Sequence, residues 1–265
     1  MRIPTGRRAA RTLAAALAVL AVGGGAALTT TACKGPRLNA LMMSKSQEVE
    51  VGQQAAQQVD QQYRGKFVTS GPQYERLQRV AARILPRAAS DYDVPYSVKL
   101  ISSKDVNAFA LPGGPIYFYT GLVDLAESDD ELAAVLGHEA AHISRRHAAK
   151  QVADAQTKGL IAQLALGRAS DLAQVAAGIA LQLDQLSYSR SDEEQSDEVG
   201  FQYLVSAGYD PGAMASFFRK MGEATGGGGG PEWLSSHPVT RKRVEKAEER
   251  AKAYRQQQQG QTATP

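Results

Sequence analysis

Leu136-Gly137-His138-Glu139-Ala140-Ala141-His142-Ile143 is the stretch that decides how the rest of the chain is read. Residues four apart share one face of an α-helix, so His138 and His142 aim two imidazoles at one point. Glu139 stands between them and can take a proton from water held there. Gly137, Ala140 and Ala141 keep the helix surface small, so other elements can come close. Upstream, Ser128-Asp129-Asp130-Glu131 has the form of a capping box that opens this helix at Asp129. Leu132, Val135, Leu136 and Ile143 carry it to about Ala149. Two satisfied histidines on a surface helix would show the same spacing, but the apolar flanks favour a metal site.

A hydrolytic zinc site takes three protein ligands and leaves a position open. The chain has four histidines: His138, His142, His147 and His237. On a continuing helix His147 points about 140° away from His142, so it reads as a helix-exit histidine that packs or caps locally. An acid is the better third ligand. In the helix predicted over Ser189–Ala207, the run Asp192-Glu193-Glu194 reads by itself as a solvated face. Register separates its members. Glu193 lies four before Asp197, and Gly200, Phe201 and Leu204 continue that side. Glu193 is therefore the candidate ligand, and Asp197 the carboxylate that accepts a ligand histidine's other ring N–H. His237, ahead of Pro238 in a Ser-rich loop, reads by itself as a turn residue.

The remaining pattern is α+β and mainly helical. Gln47–Tyr63 and Gln73–Ala89 are amphipathic helices. Tyr96–Ser102, Asn107–Leu111 and Ile116–Thr120 read as strands, the last two joined by Pro112-Gly113-Gly114-Pro115, which predicts a small, mostly antiparallel sheet. Gln151–Gly167 and Asp171–Leu186 are helical but too interrupted by polar residues to cross a membrane. Asp210-Pro211 reads as a helix start. Gly226–Gly230 is a flexible hinge. Val239–Tyr254 is a charged helix, and the tail after Gln256 reads as disordered.

Of 265 residues, 43% are hydrophobic and 22% charged, which fits a globular chain. One Cys excludes an internal disulfide and a Cys-rich zinc ribbon. The formal charge of +3 is uneven. Arg2, Arg7, Arg8 and Arg11 lie in residues 1–32, which hold no acid, and without that stretch the net charge is −1. Nothing electrostatic therefore argues for nucleic acid. The arginines precede an uncharged Leu13–Leu28 run, as in a signal peptide for the general secretory route. Thr30-Thr31-Ala32-Cys33 follows it and is similar to a bacterial lipobox, which makes Cys33 the lipid-attachment residue. An ordinary secretory signal with an incidental cysteine is the plainer reading. Lys34 stands where inner-membrane retention uses Asp, which favours the outer membrane. The predicted organisation is a lipoprotein signal over 1–32, anchor and linker over 33–45, a zinc-hydrolase domain over 46–256 and a disordered tail over 257–265.

Several strings carry a resemblance. They are Asn107-Ala108-Phe109-Ala110-Leu111-Pro112-Gly113-Gly114, Thr120-Gly121-Leu122, Leu136 to His142, Arg146-His147 and Tyr188-Ser189-Arg190. Glu193, Asp197, Gly200, Ala207-Gly208-Tyr209-Asp210-Pro211 and Ser236-His237-Pro238 continue the order. Over roughly Gln47 to Val244 the chain resembles the CAAX-prenyl-protease/HtpX clan of zinc metallopeptidases, above all its soluble lipoprotein members. The resemblance implies a zincin-like (gluzincin) domain holding one Zn2+. It implies His138, His142 and Glu193 as ligands, Glu139 as general base, and Asp197 as the family's Asp after the Glu ligand. His237 falls near the zinc, able to fill its open position or stabilise the tetrahedral intermediate. Asn107, Ala108 and Phe109 match an edge strand that binds substrate. The implied activity is endopeptidase cleavage of unfolded or misfolded polypeptides in the periplasm-facing envelope, with the membrane reached through the lipid and outer-membrane assembly machinery as a candidate partner. Gln195-Ser196 replaces the family's usual Glu-Ala, read as a change to a neighbouring surface. A chaperone-like or latent zinc-binding lipoprotein is the alternative.

Overall fold

The computed structural model describes residues 43–155, 173, 176–179, 187–224 and 230–262. The leader with Cys33, most of the two helices expected over 151–186, and Gly226–Gly229 of the expected hinge lie outside these residues.

A four-stranded sheet sits between helical layers. Its strands are β1 (Phe67–Val68), β2 (Ser97–Ile101), β3 (Ala108–Ala110) and β4 (Pro115–Tyr119), in the order β1-β2-β4-β3. β1 runs antiparallel to β2, and β3 antiparallel to β4 with Phe109 opposite Tyr117. The central pair β2–β4 is parallel, with Leu100 opposite Phe118. The sheet is thus mixed, whereas the sequence predicts an antiparallel one. Strand patterning sets which face each residue takes, but not which neighbour pairs. β4 is buried along its whole length and so takes the centre, with its hairpin partner β3 at the edge.

Alternation along β4 feeds two cores. Ile116 and Phe118 join a large cluster with Leu77, Val80 and Ile84 of α2 (Pro72–Asp91) and Leu132 and Leu136 of α4 (Asp129–Ser144). Tyr117 and Tyr119 join a smaller one with Val51, Ala55 and Val59 of α1 (Lys45–Gln62). Gly113 and Gly114 turn the β3–β4 hairpin at φ of 70° and 132°, a region where glycine carries no Cβ penalty.

After α3 (Thr120–Leu125), α4 (Asp129–Ser144) is the central helix, buried at every residue from Glu131 to Ser144. A helix buried all round must be covered on every side. α2, α6 (Arg190–Ser206), α7 (Ala213–Glu223) and β3 cover it. Ser128 caps α4 by accepting from the Glu131 amide, but Glu131 does not return the contact. Its carboxylate accepts from the Glu127 amide, the Ser216 hydroxyl and Lys220. α5 (His147–Ala155), α8 (Trp233–Ser236) and α9 (Arg241–Thr262) complete the described elements. Two predicted boundaries move. Asp210-Pro211 form a turn, and α7 begins at Ala213 after Gly212. α9 runs on to Thr262 through residues predicted to be disordered, because glutamines are good helix formers and extending a docked helix adds one hydrogen bond per residue. No helix among the described residues is long and apolar enough to cross a membrane.

Candidate active site

Helices α4 and α6 cross with Gly137 against Gly200. A Cβ on Gly137 would stand 2.9 Å from the Gly200 carbonyl oxygen, and one on Gly200 2.8 Å from the His138 amide nitrogen. Only glycine fits at either place, so the two backbones touch. That close approach brings His138 and His142 of α4 against Glu193 and Asp197 of α6. His138 Nε2 and His142 Nε2 are 3.0 Å apart. Glu193 spans them, Oε2 at 3.5 Å from His138 Nε2 and Oε1 at 3.3 Å from His142 Nε2. His237 joins from the loop after α8, Nδ1 at 2.9 Å from Glu193 Oε1 and 3.3 Å from His138 Nε2. The ligating atoms of these four buried residues lie within 4.8 Å of one another.

The two α4 histidines are supported differently. His138 turns Nδ1 to Asp197 Oδ1 at 3.0 Å. Asp197 accepts in turn from Arg243 of α9 at two points, 2.8 Å from Nε and 2.7 Å from Nη2. The third nitrogen of that guanidinium lies 2.6 Å from Glu193 Oε2 and donates to the Pro238 carbonyl at 2.9 Å. His142 instead meets His147. α4 stops at Arg145, and Arg146 takes a φ of 60°, its guanidinium held by buried Glu48 at 2.7 Å and by the Met43 carbonyl. The helix does not continue, so His147 swings back and sets Nδ1 2.9 Å from His142 Nδ1. Gln195 Oε1 at 2.9 Å and Ser196 Oγ at 3.2 Å complete its surroundings. Gln195-Ser196, read from the sequence as a change to a neighbouring surface, therefore alters what touches His147.

Glu139 is covered by α8. Trp233 Nε1 donates to Glu139 Oε1 at 3.0 Å, and His237 Nε2 is 3.6 Å from the same oxygen. The Trp233 ring stacks on His237 with 4.8 Å between centroids and 24° between planes. The Trp233 amide is tied to the Val106 carbonyl just before β3 at 3.1 Å. Tyr188 lies over His142 at 3.9 Å.

The charges ask for a cation. Burial opposes a charge on His138, but Glu193 and Asp197 outweigh it and lift its pKa to about 9. Burial holds His142 well below the usual histidine range. Burial pushes Glu193 and Asp197 up, yet the histidines around Glu193, and His138 with Arg243 beside Asp197, bring both below the usual carboxylate range. Glu193 Oε2 is buried without an aligned hydrogen bond. Asp197 can only accept, so His138 Nδ1 keeps its proton, and as a metal ligand the ring would give up the other one, from the Nε2 that faces His142 Nε2 at 3.0 Å. Two imidazole nitrogens and a carboxylate oxygen converging in this way fit a divalent transition-metal ion.

The sequence profile of peptidase family M48 matches residues 72–251. The chain belongs to that family. A putative beta-barrel assembly-enhancing protease of Vibrio cholerae is 33% identical over 181 residues, 64% of this chain and 37% of that protein. The mitochondrial metalloendopeptidase OMA1 of Arabidopsis thaliana is 36% identical over 180 residues, 64% of this chain and 36% of that protein. The metalloprotease LoiP of Escherichia coli is 26% identical over 225 residues, 81% of this chain and 84% of that protein. The chain spans only about 37% of the length of the beta-barrel assembly-enhancing proteases it matches.

In this M48 site the structure gathers His138, Glu139, His142, Glu193, Asp197 and His237 in one buried cluster. Ala108 and Phe109 lie apart on the edge strand β3, and Asn107 just before it. Ala108 packs into the large core and Phe109 stacks on Tyr117 at 5.0 Å, so these side chains face the protein. No strand pairs with the outer edge of β3 among the described residues. Sequence reasoning missed Trp233 and Arg243. The chain's only Trp, four residues before His237, is a signal that could have found the first. Arg243 sits in a run of charged residues, and nothing in the sequence separates it from Arg241 or Lys242.

Proposed function

We propose that this M48 metalloendopeptidase is a zinc-dependent enzyme of the bacterial cell envelope that cleaves misfolded envelope or outer-membrane polypeptides. The observation that carries the reading is the buried cluster of His138, His142, Glu193 and His237, with the buried Glu139 carboxylate 3.6 Å from His237. A zinc ion held by those two histidines and Glu193 would supply Lewis-acid polarisation of the scissile carbonyl and acidify water. Glu139 is the general base, taking a proton from water and passing it to the leaving amine. Asp197 holds the His138 ring in register. His237, once clear of Glu193, is placed to donate to the developing oxyanion. An extended polypeptide would add to the outer edge of β3 through main-chain hydrogen bonds. Such binding reads backbone more than side chains, which suits misfolded chains. Attachment through Cys33, the outer membrane and its assembly machinery as partner belong to the same proposal. Relatives named as beta-barrel assembly-enhancing proteases support that setting.

A latent form is the second reading, favoured because Trp233 and His237 occupy the very groups the chemistry needs. One assay addresses both. Wild type, Glu139→Gln and His237→Ala are compared for zinc content and casein cleavage. Glu139→Gln is expected to keep zinc and lose cleavage by about 10²-fold or more, and full cleavage by it sinks the mechanism. A wild type that holds zinc but cleaves only after His237→Ala is the latent outcome.

A further inference from the structure

His142 has two ring nitrogens with different tasks. Nε2 faces His138 Nε2 at 3.0 Å and Glu193 Oε1 at 3.3 Å. Nδ1 faces His147 Nδ1 at 2.9 Å. Only one proton fits between the two Nδ1 atoms, and the groups around His147 decide whose it is. His147 Nε2 lies 2.9 Å from Gln195 Oε1 and 3.4 Å from Asp192 Oδ1. A carboxylate oxygen accepts only, so this nitrogen carries an N–H. A neutral imidazole with its proton on Nε2 has a bare Nδ1. Ser196 Oγ, 3.2 Å from that Nδ1, is able to donate to it as well. Once His142 gives Nε2 to a metal instead of to Glu193 Oε1, the proton between the rings therefore belongs to His142.

We propose that His147 is a positioning residue that fixes the tautomer of His142, with the proton on Nδ1 and the Nε2 lone pair free for the metal. It accepts from His142 and passes the polarity on to Gln195 and Asp192. Both of His147's outer partners lie in the first turns of α6, within one turn of Glu193, so one helix delivers a ligand and the support of another ligand. The support is also unlike that of His138, whose Nδ1 lies 3.0 Å from a carboxylate oxygen of Asp197. This inference rests on the zinc reading above.

The test has two readouts besides turnover. In zinc-loaded wild-type protein labelled with 15N-histidine, long-range NMR correlations are expected to show His147 with its proton on Nε2 and a bare Nδ1. A proton on His147 Nδ1 overturns the proposal. Zinc affinity is then measured by chelator competition. His147→Phe is expected to weaken zinc binding about 10- to 100-fold, and His147→Gln, which keeps an acceptor, to recover part of it. Equal affinity in wild type and His147→Phe overturns the role of His147 while leaving the metal reading intact. Wild type that takes up no zinc removes the metal reading, and this inference with it. If His147→Phe does not fold, the wild-type tautomer decides alone.

Discussion

The floor of the site and its cover are built in opposite ways. The floor is the crossing of α4 and α6, where Gly137 and Gly200 let two backbones touch. Backbone contact has no alternative rotamer, so the positions of His138, His142, Glu193 and Asp197 are fixed with the fold. The cover is α8 and the loop to Pro238, held over Glu139 by a tryptophan N–H, a ring stack and two main-chain bonds. Each of these can be exchanged for a contact with water or substrate. The difference teaches that chemistry and access are separable in the proposed enzyme: a rigid floor would carry the reacting groups, and a replaceable cover would control them.

Arg243 is where the comparison breaks, because it belongs to α9 beyond the cover yet grips the floor. Its three nitrogens serve Asp197, Glu193 and the Pro238 carbonyl, all within 2.9 Å. Arg243→Met would leave two buried carboxylates without their cation, a loss of about 3–5 kcal/mol. Urea unfolding with and without added zinc measures it. Zinc should return part of the stability, since the ion supplies positive charge to Glu193. A change below about 1 kcal/mol would mean that the floor does not depend on α9.

The floor itself is tested at the crossing. Gly200→Ala places a methyl 2.8 Å from the His138 amide nitrogen, where the nearest atoms are backbone and cannot rotate away. The helices must part, at about 1–3 kcal/mol. Zinc affinity should fall along with the thermal midpoint, because Glu193 retreats from the histidines. Loss of stability with unchanged zinc affinity would show that the ligands are set by something other than this contact.

The same division governs what the sequence makes legible. The floor is written in short spacings. His138 and His142 are one helical turn apart, Glu193 and Asp197 likewise, and the small residues between them announce a close approach. The cover is not local. Trp233 meets Glu139 across 94 positions and Arg243 meets Asp197 across 46, and no periodicity encodes such pairs. The direction of His147 is illegible for a third reason, although it packs locally as its helix-exit position implies. The angle of about 140° to His142 holds for an unbroken helix, and the break at Arg146 depends on Glu48, a residue on the distant α1. The strands were legible for their alternation, while the parallel β2–β4 pairing was not, because register and neighbour are decided by burial of β4.

The smallest expected effect concerns the cover alone. Trp233→Phe keeps an aromatic ring to stack on His237 but removes the N–H that occupies Glu139 Oε1. A hydrogen bond to a charged acceptor contributes about 1.5 kcal/mol or more. If the cover competes with substrate, losing that bond raises the open population by up to about tenfold, because 1.4 kcal/mol corresponds to a factor of ten. kcat/KM on an unstructured peptide should therefore rise in Trp233→Phe, while zinc affinity stays at the wild-type value because no ligand is touched. Should kcat/KM fall instead, Trp233 is part of the working site. It would then orient the Glu139 carboxylate for proton transfer, and the line between floor and cover would have to be drawn beyond it, at His237.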